Sequence, residues 1–127
     1  MERVRFIDHG GHRVLLIDYS GLEDENEFLS LIERRKKIVE KEAPGSLLTL
    51  TDVTHAHCTR DVIAAMKVAA VLDLPHLKRA AIVGTDSVYP HGTSAAMTGF
   101  TARHWTHFPT REAALDWLVS DAEATGA

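Results

Sequence analysis

The sequence predicts an α/β fold, a mostly parallel five-stranded sheet with an antiparallel first strand and about four helices. Three observations carry this. Two β-rich runs flank a pair of glycines near the amino end; two short, largely apolar runs, 47–50 and 80–83, read as buried strands; and segments of helical period lie between and after them. The order ββαβαβαβα then calls for right-handed crossovers between parallel neighbours. With 127 residues, 45% of them hydrophobic, the chain is expected to form a single domain over 1–127 around one core.

Residues 4–8 and 13–19 form the first two strands, joined by His9-Gly10-Gly11-His12, where both glycines can take the positive φ of a tight hairpin turn. The second strand, with VLLI unbroken, should lie deeper in the sheet than the first, which alternates. Ser20-Gly21-Leu22 turns the chain into a helix reaching about Glu42. Acidic Glu23, Asp24, Glu25 and Glu27 stand at its positive end, and Arg34, Arg35, Lys36, Lys37 and Lys41 toward its negative end, as the helix dipole favours. Phe28, Leu31, Ile32, Ile38 and Val39 supply a buried stripe whose central gap the stem of Arg35 would cover, and 34–37 reads as a solvated face.

Pro44-Gly45 ends that helix, 47–50 form the third strand, and after a polar loop Thr59 can cap a second helix with Asp61 in its first turn. This helix, VIAAMKVAAVLDL, is apolar almost all round and broken only by Lys67 and Asp73, which favours burial between the sheet and another element over an exposed contact face. Pro75 stops it, and 77–84 form the fourth strand. The loop 84–92 leads to a helical segment from about Thr93 to Arg103, rich in small and adaptable side chains. A fifth strand over 105–108, a helix capped by Thr110 with Ala113, Ala114, Trp117 and Leu118 on its apolar face, and a tail over 121–127 that should fray complete the chain.

A net charge of −4 and a pI near 6.0 disfavour a nucleic-acid backbone or an anionic membrane surface as partner. The single cysteine, Cys58, excludes an internal disulfide. No apolar run approaches the roughly 20 residues of a membrane span, and the amino end lacks the apolar core of a signal peptide, so the expected location is cytoplasmic, with no transmembrane segment.

Residues 47–67 read as strand, loop and helix, and in open α/β sheets ligands bind beyond the carboxyl ends of the strands. The candidate binding or switch loop therefore holds Asp52, Thr54, His57, Cys58 and Thr59, faced by a second loop with Thr85, Asp86, Ser87 and His91. Turn-making and capping account for the same residue types. His55, His57 and Cys58 are soft ligands that fall short of a four-ligand structural zinc site, with His91 the next nearest donor; no metal and no cofactor are expected. At a helix amino end Cys58 would have a lowered pKa, as a nucleophile requires, although an ordinary buried residue is the favoured reading. Ala95, Ala96, Met97 and Phe100 could line an apolar groove against the second helix, while Tyr89 and Trp105 read as core aromatics. No GxxxxGK[ST] or GxGxxG pattern points to a nucleotide.

VLLIDYSGL, PGSLLTLTDVT, LKRAAIVG and FPTREAALDWL together resemble the SpoIIAA-like family of small bacterial proteins, also described as STAS/SEC14-like, over nearly the whole chain. The resemblance implies a domain related to the STAS anti-sigma-factor antagonists and, more loosely, to lipid-carrying SEC14-type domains. In the antagonists, a serine at the start of the helix after the central strand is phosphorylated by a partner kinase. The corresponding stretch here, His57-Cys58-Thr59-Arg60, has no serine, and Thr59 offers the nearest hydroxyl. The expected function is a non-enzymatic regulatory or partner-binding domain. The alternative is a carrier of a lipid or small apolar ligand, and the third reading is an enzyme using Cys58 or a metal at His55 and His57. A homodimer is compatible with the apolar second helix.

Overall fold

A computed structural model describes residues 2–102 and 104–120, with the backbone alone for 91–95. β1 (Val4–His9) and β2 (His12–Asp18) form an antiparallel hairpin in a register from Val4 opposite Ile17 to His9 opposite His12. Gly10 and Gly11, at φ 57° and 81°, make its two-residue turn, a conformation that excludes most side chains at both places. β3 (Leu47–Asp52), β4 (Leu77–Val83) and β5 (Thr106–Phe108) add in parallel, giving the sheet order β1-β2-β3-β4-β5. With α1 (Glu25–Val39), α2 (Arg60–Asp73), α3 (His91–Thr101) and α4 (Arg111–Leu118), this is the α/β architecture that the sequence predicts.

Because β2 to β5 follow one another in order, crossovers of a single hand deliver α1, α2 and α3 to the same face of the sheet. Leu15, Ile17 and Ile82 pack there beneath Phe28 and Ile32 of α1, Val62 and Met66 of α2 and Met97 of α3. On the opposite face Leu16, Leu50, Ala81 and Val83 meet Ala114 and Leu118 of α4. All six residues of β3 are buried, because this strand has both a strand neighbour on each side and a layer on each face.

Local chemistry shifts several boundaries. α1 begins at Glu25 because the Asp24 carboxylate accepts from the Glu27 amide at 3.2 Å; Glu23 and Asp24 therefore precede the helix, which ends at Val39 and not near Glu42. Thr59 and Thr110 cap α2 and α4 in the same way, at 3.2 and 3.1 Å. α3 starts at His91, two residues before the expected place, directly after Pro90. It ends at Thr101, two residues before the expected Arg103; that residue and the tail over 121–127 lie outside the described residues.

Two expectations about the helices are overturned. Arg35 is not a stem with a solvated head: its whole side chain is buried, and its guanidinium pairs with Asp73 of α2, so 34–37 is not a single solvated face. Both charges lie on the inner faces of their helices, and each makes the other's burial tolerable. Nor is α2 buried all round. Val68, Val71 and Leu72, at helical spacing of three and four, are 58%, 57% and 52% exposed, and Leu74 just beyond is 47% exposed. One helix touches the sheet with one face only, and α1 and α3 flank it without covering the outer side.

Candidate functional site

In open α/β sheets the ligand crevice opens where the strand order reverses. This sheet has no reversal; Asp18, Asp52 and Arg111 close its carboxyl edge over β2 and β3, while past the end of β4 a surface cleft brings together Thr54, Thr85, Asp86 and Ser87 with Thr98 and His107. Asp18 and Asp52 end neighbouring parallel strands in register. Asp18 Oδ1 accepts from the Ser20 amide and hydroxyl at 2.9 and 2.6 Å, and Asp52 Oδ1 accepts from the Thr54 amide and hydroxyl at the same two distances. Arg111, at the start of α4, bridges the pair: its Nε donates to Asp52 Oδ2 at 2.6 Å, and its Nη2 lies 3.1 Å from Asp18 Oδ1. Two aspartates that would otherwise repel are thus held by the bridging Arg111 and four local donors, with Arg3 a further 3.9 Å from Asp18 Oδ1. Burial acts to raise the pKa of Asp18, but the Ser20 bonds and Arg111 outweigh it and hold the carboxyl below its ordinary value.

The switch loop is equally engaged. Within residues 52–59, the Val53 amide donates to Val83 O at 3.0 Å, the His57 amide to Leu22 O at 2.8 Å and the Cys58 amide to Tyr89 O at 2.9 Å. Gly84 approaches so closely that a Cβ there would stand 2.5 Å from the Thr54 nitrogen. His57 stacks on Tyr89 with ring centroids 5.0 Å apart, which brings the two predicted loops together. Ser87 Oγ accepts from the His55 amide at 2.9 Å, Thr85 is buried, and Asp86 faces solvent. The side chain of His91, and that of Ala95, lie outside the described residues.

Cys58 corrects the nucleophile reading. Its thiol is fully buried in the core below α1 and α2, and burial pushes its pKa up to about 12, opposite to the lowering a helix amino end would give an exposed thiol. Buried Cys58 cannot join His55 and His57 as an accessible ligand, and no group of three or more metal-binding side chains occurs among the described residues. Thr59 caps α2 and also donates its hydroxyl to Glu25 of α1. A phosphoryl group on that oxygen would remove the donor and face a carboxylate.

Also open is the outer side of α2. Its stripe of Val68, Val71 and Leu72 adjoins a groove formed by Lys67 and Val71 with Ala96, Gly99, Phe100 and His104. Lys67 Nζ sits 5.6 Å from the centre of the Phe100 ring, a cation over an aromatic face at the groove's rim. Phe100 therefore lines a groove as expected, but Met97 does not: it is fully buried and belongs to the core.

No family model, curated protein or solved structure matches this chain. Among the described residues, no helix is long and apolar enough to cross a membrane. Sequence reasoning missed Asp18, Arg111, Arg35 and Asp73. A signal existed for two of the pairings: Asp18-x-Ser20 and Asp52-x-Thr54 repeat one acidic-x-hydroxyl pattern after two apolar strands, and Arg35 and Asp73 are opposite charges within the apolar stripes of successive helices.

Proposed function

We propose that this chain is a non-catalytic regulatory or partner-binding domain of the SpoIIAA-like, STAS-related kind, and that it meets its partner through the outer face of α2. The observation that carries the reading is the row of large apolar side chains, Val68, Val71 and Leu72, left about half exposed on one helix beside the Phe100 groove. An apolar patch of this kind on a small domain marks a contact surface more often than chance exposure. The buried thiol of Cys58 supports a binding role over a thiol-based catalytic one, since it faces no cleft. Thr59 is not needed as a switch in this reading.

A second reading, carriage of a lipid or small apolar ligand, draws on the same groove, with Phe100 and Val71 as its walls. Native mass spectrometry separates the two, because a carrier would retain an extractable apolar mass. For the partner reading, the test is the double substitution Val68→Lys/Val71→Lys. These side chains are exposed, so stability should stay within about 0.5 kcal/mol, while association with the partner of the wild-type chain is lost. Lys78→Glu, on an exposed part of β4, should leave it intact. Association that survives the double substitution unchanged would overturn the reading.

A further inference from the structure

A pocket lies beneath α2, on the sheet face shared with α1, and its polar wall is made by Tyr19, Arg35, Thr49, Thr51 and Asp73. The rest is apolar, with Ile17, Met66 and Ala70 among the lining residues, and His104 and Trp105 from the connection between α3 and β5 stand at its edge, both partly exposed. Its free space is about 20 Å³, room for a water or two and for the polar end of a small molecule.

Three features of this wall point the same way. The Arg35 guanidinium pairs with Asp73 through one terminal nitrogen, yet its Nε is buried with no hydrogen-bond partner, on a side chain that is only 4% exposed. Buried N–H groups are satisfied in nearly all folded proteins, so this donor asks for an acceptor. The Tyr19, Thr49 and Thr51 hydroxyls line the same space. Finally, the charges are already balanced, one guanidinium in direct contact with one carboxylate, so an ion entering this low-dielectric space would arrive without a counter-charge.

We propose that this pocket is a binding site for a small uncharged organic molecule that presents a carbonyl or similar acceptor to Arg35 Nε and the threonine hydroxyls and a short apolar body to Met66 and Ala70. The site shares only His104 with the groove beside the outer face of α2 and does not depend on that face binding a partner. Burial also keeps the Tyr19 phenol protonated well above its ordinary range, so it too offers a donor and not a charge.

The test uses two probes of one shape and different charge, isobutyramide and isobutyrate, titrated into the full chain while the nitrogen-15 resonance of Arg35 Nε is followed. The amide should shift that resonance saturably and the carboxylate should not. Thr51→Val removes one hydroxyl without touching the ion pair, and should weaken the amide by about fivefold, the loss of one neutral hydrogen bond, while the unliganded protein melts no earlier. The Trp105 emission, at the pocket's edge, should follow the same titration. No saturable shift with either probe would overturn the proposal, as would an ordered water that stays on Arg35 Nε at saturating amide. Preferential binding of the carboxylate would overturn the uncharged class.

Discussion

Asp18 shows how a single side chain ties acid stability to the closed edge of the sheet. Its pKa lies below the ordinary 3.8 in the folded chain, because Ser20 and Arg111 more than offset the effect of burial, so the unfolded chain binds the proton more readily. The stabilisation is therefore complete above the unfolded value and is lost as pH falls through the folded one. Asp18→Asn should lower stability near neutrality and flatten its decline between about pH 5 and pH 2, as read from urea melts across that range. Cys58 makes the opposite kind of prediction. With its thiol pushed up to about 12 inside the core, it should resist alkylation in the folded protein at mildly alkaline pH and react at once in denaturant. Rapid labelling of the native chain would contradict the burial. For the buried pair, Arg35→Met or Asp73→Leu alone should cost about 3–5 kcal/mol because each strands the other's charge, and the double variant should recover much of that. A double-mutant cycle by urea denaturation measures it.

At the scale of elements, the capped helix starts of α2 and α4 were legible in the sequence, the ends of α1 and the start of α3 less so, and the helix faces only partly. Thr59, Thr110 and Pro75 act where the sequence places them because capping and termination are decided within a few residues. The pairing of Arg35 with Asp73 spans 38 positions, and periodicity treats each helix alone, so it showed a gap in one stripe and an interruption in another. The exposure of α2 was hidden for a related reason: a helix apolar all round does not say which neighbour is missing. Thr59 tests the element directly. Thr59→Ala should cost about 1 kcal/mol for the lost cap, and Thr59→Glu should cost more, since its carboxylate would stand against Glu25. Equal or greater stability of the Glu variant, in thermal melts, would restore the phosphorylation reading.

For the whole molecule, the alternation of strand and helix was enough to predict the class, and the paired glycines were enough for the antiparallel entry. The site did not follow from the class. The rule that places ligands beyond the strand ends needs a reversal of strand order, and a sheet in sequential order has none; here Asp18, Asp52 and Arg111 fill that edge over β2 and β3, and a cleft remains past β4. All three crossover helices share one face, which leaves three of the exposed large apolar side chains among the described residues on the outer side of the middle one, α2. That surface is the central claim. The most direct measurement replaces Val71, and in parallel the exposed Ser30 of α1, with a photo-crosslinking residue and compares the products. The account predicts a discrete crosslinked species from position 71 that is absent from position 30 and abolished by Val68→Lys; the same products from both positions, or none from position 71, would contradict it.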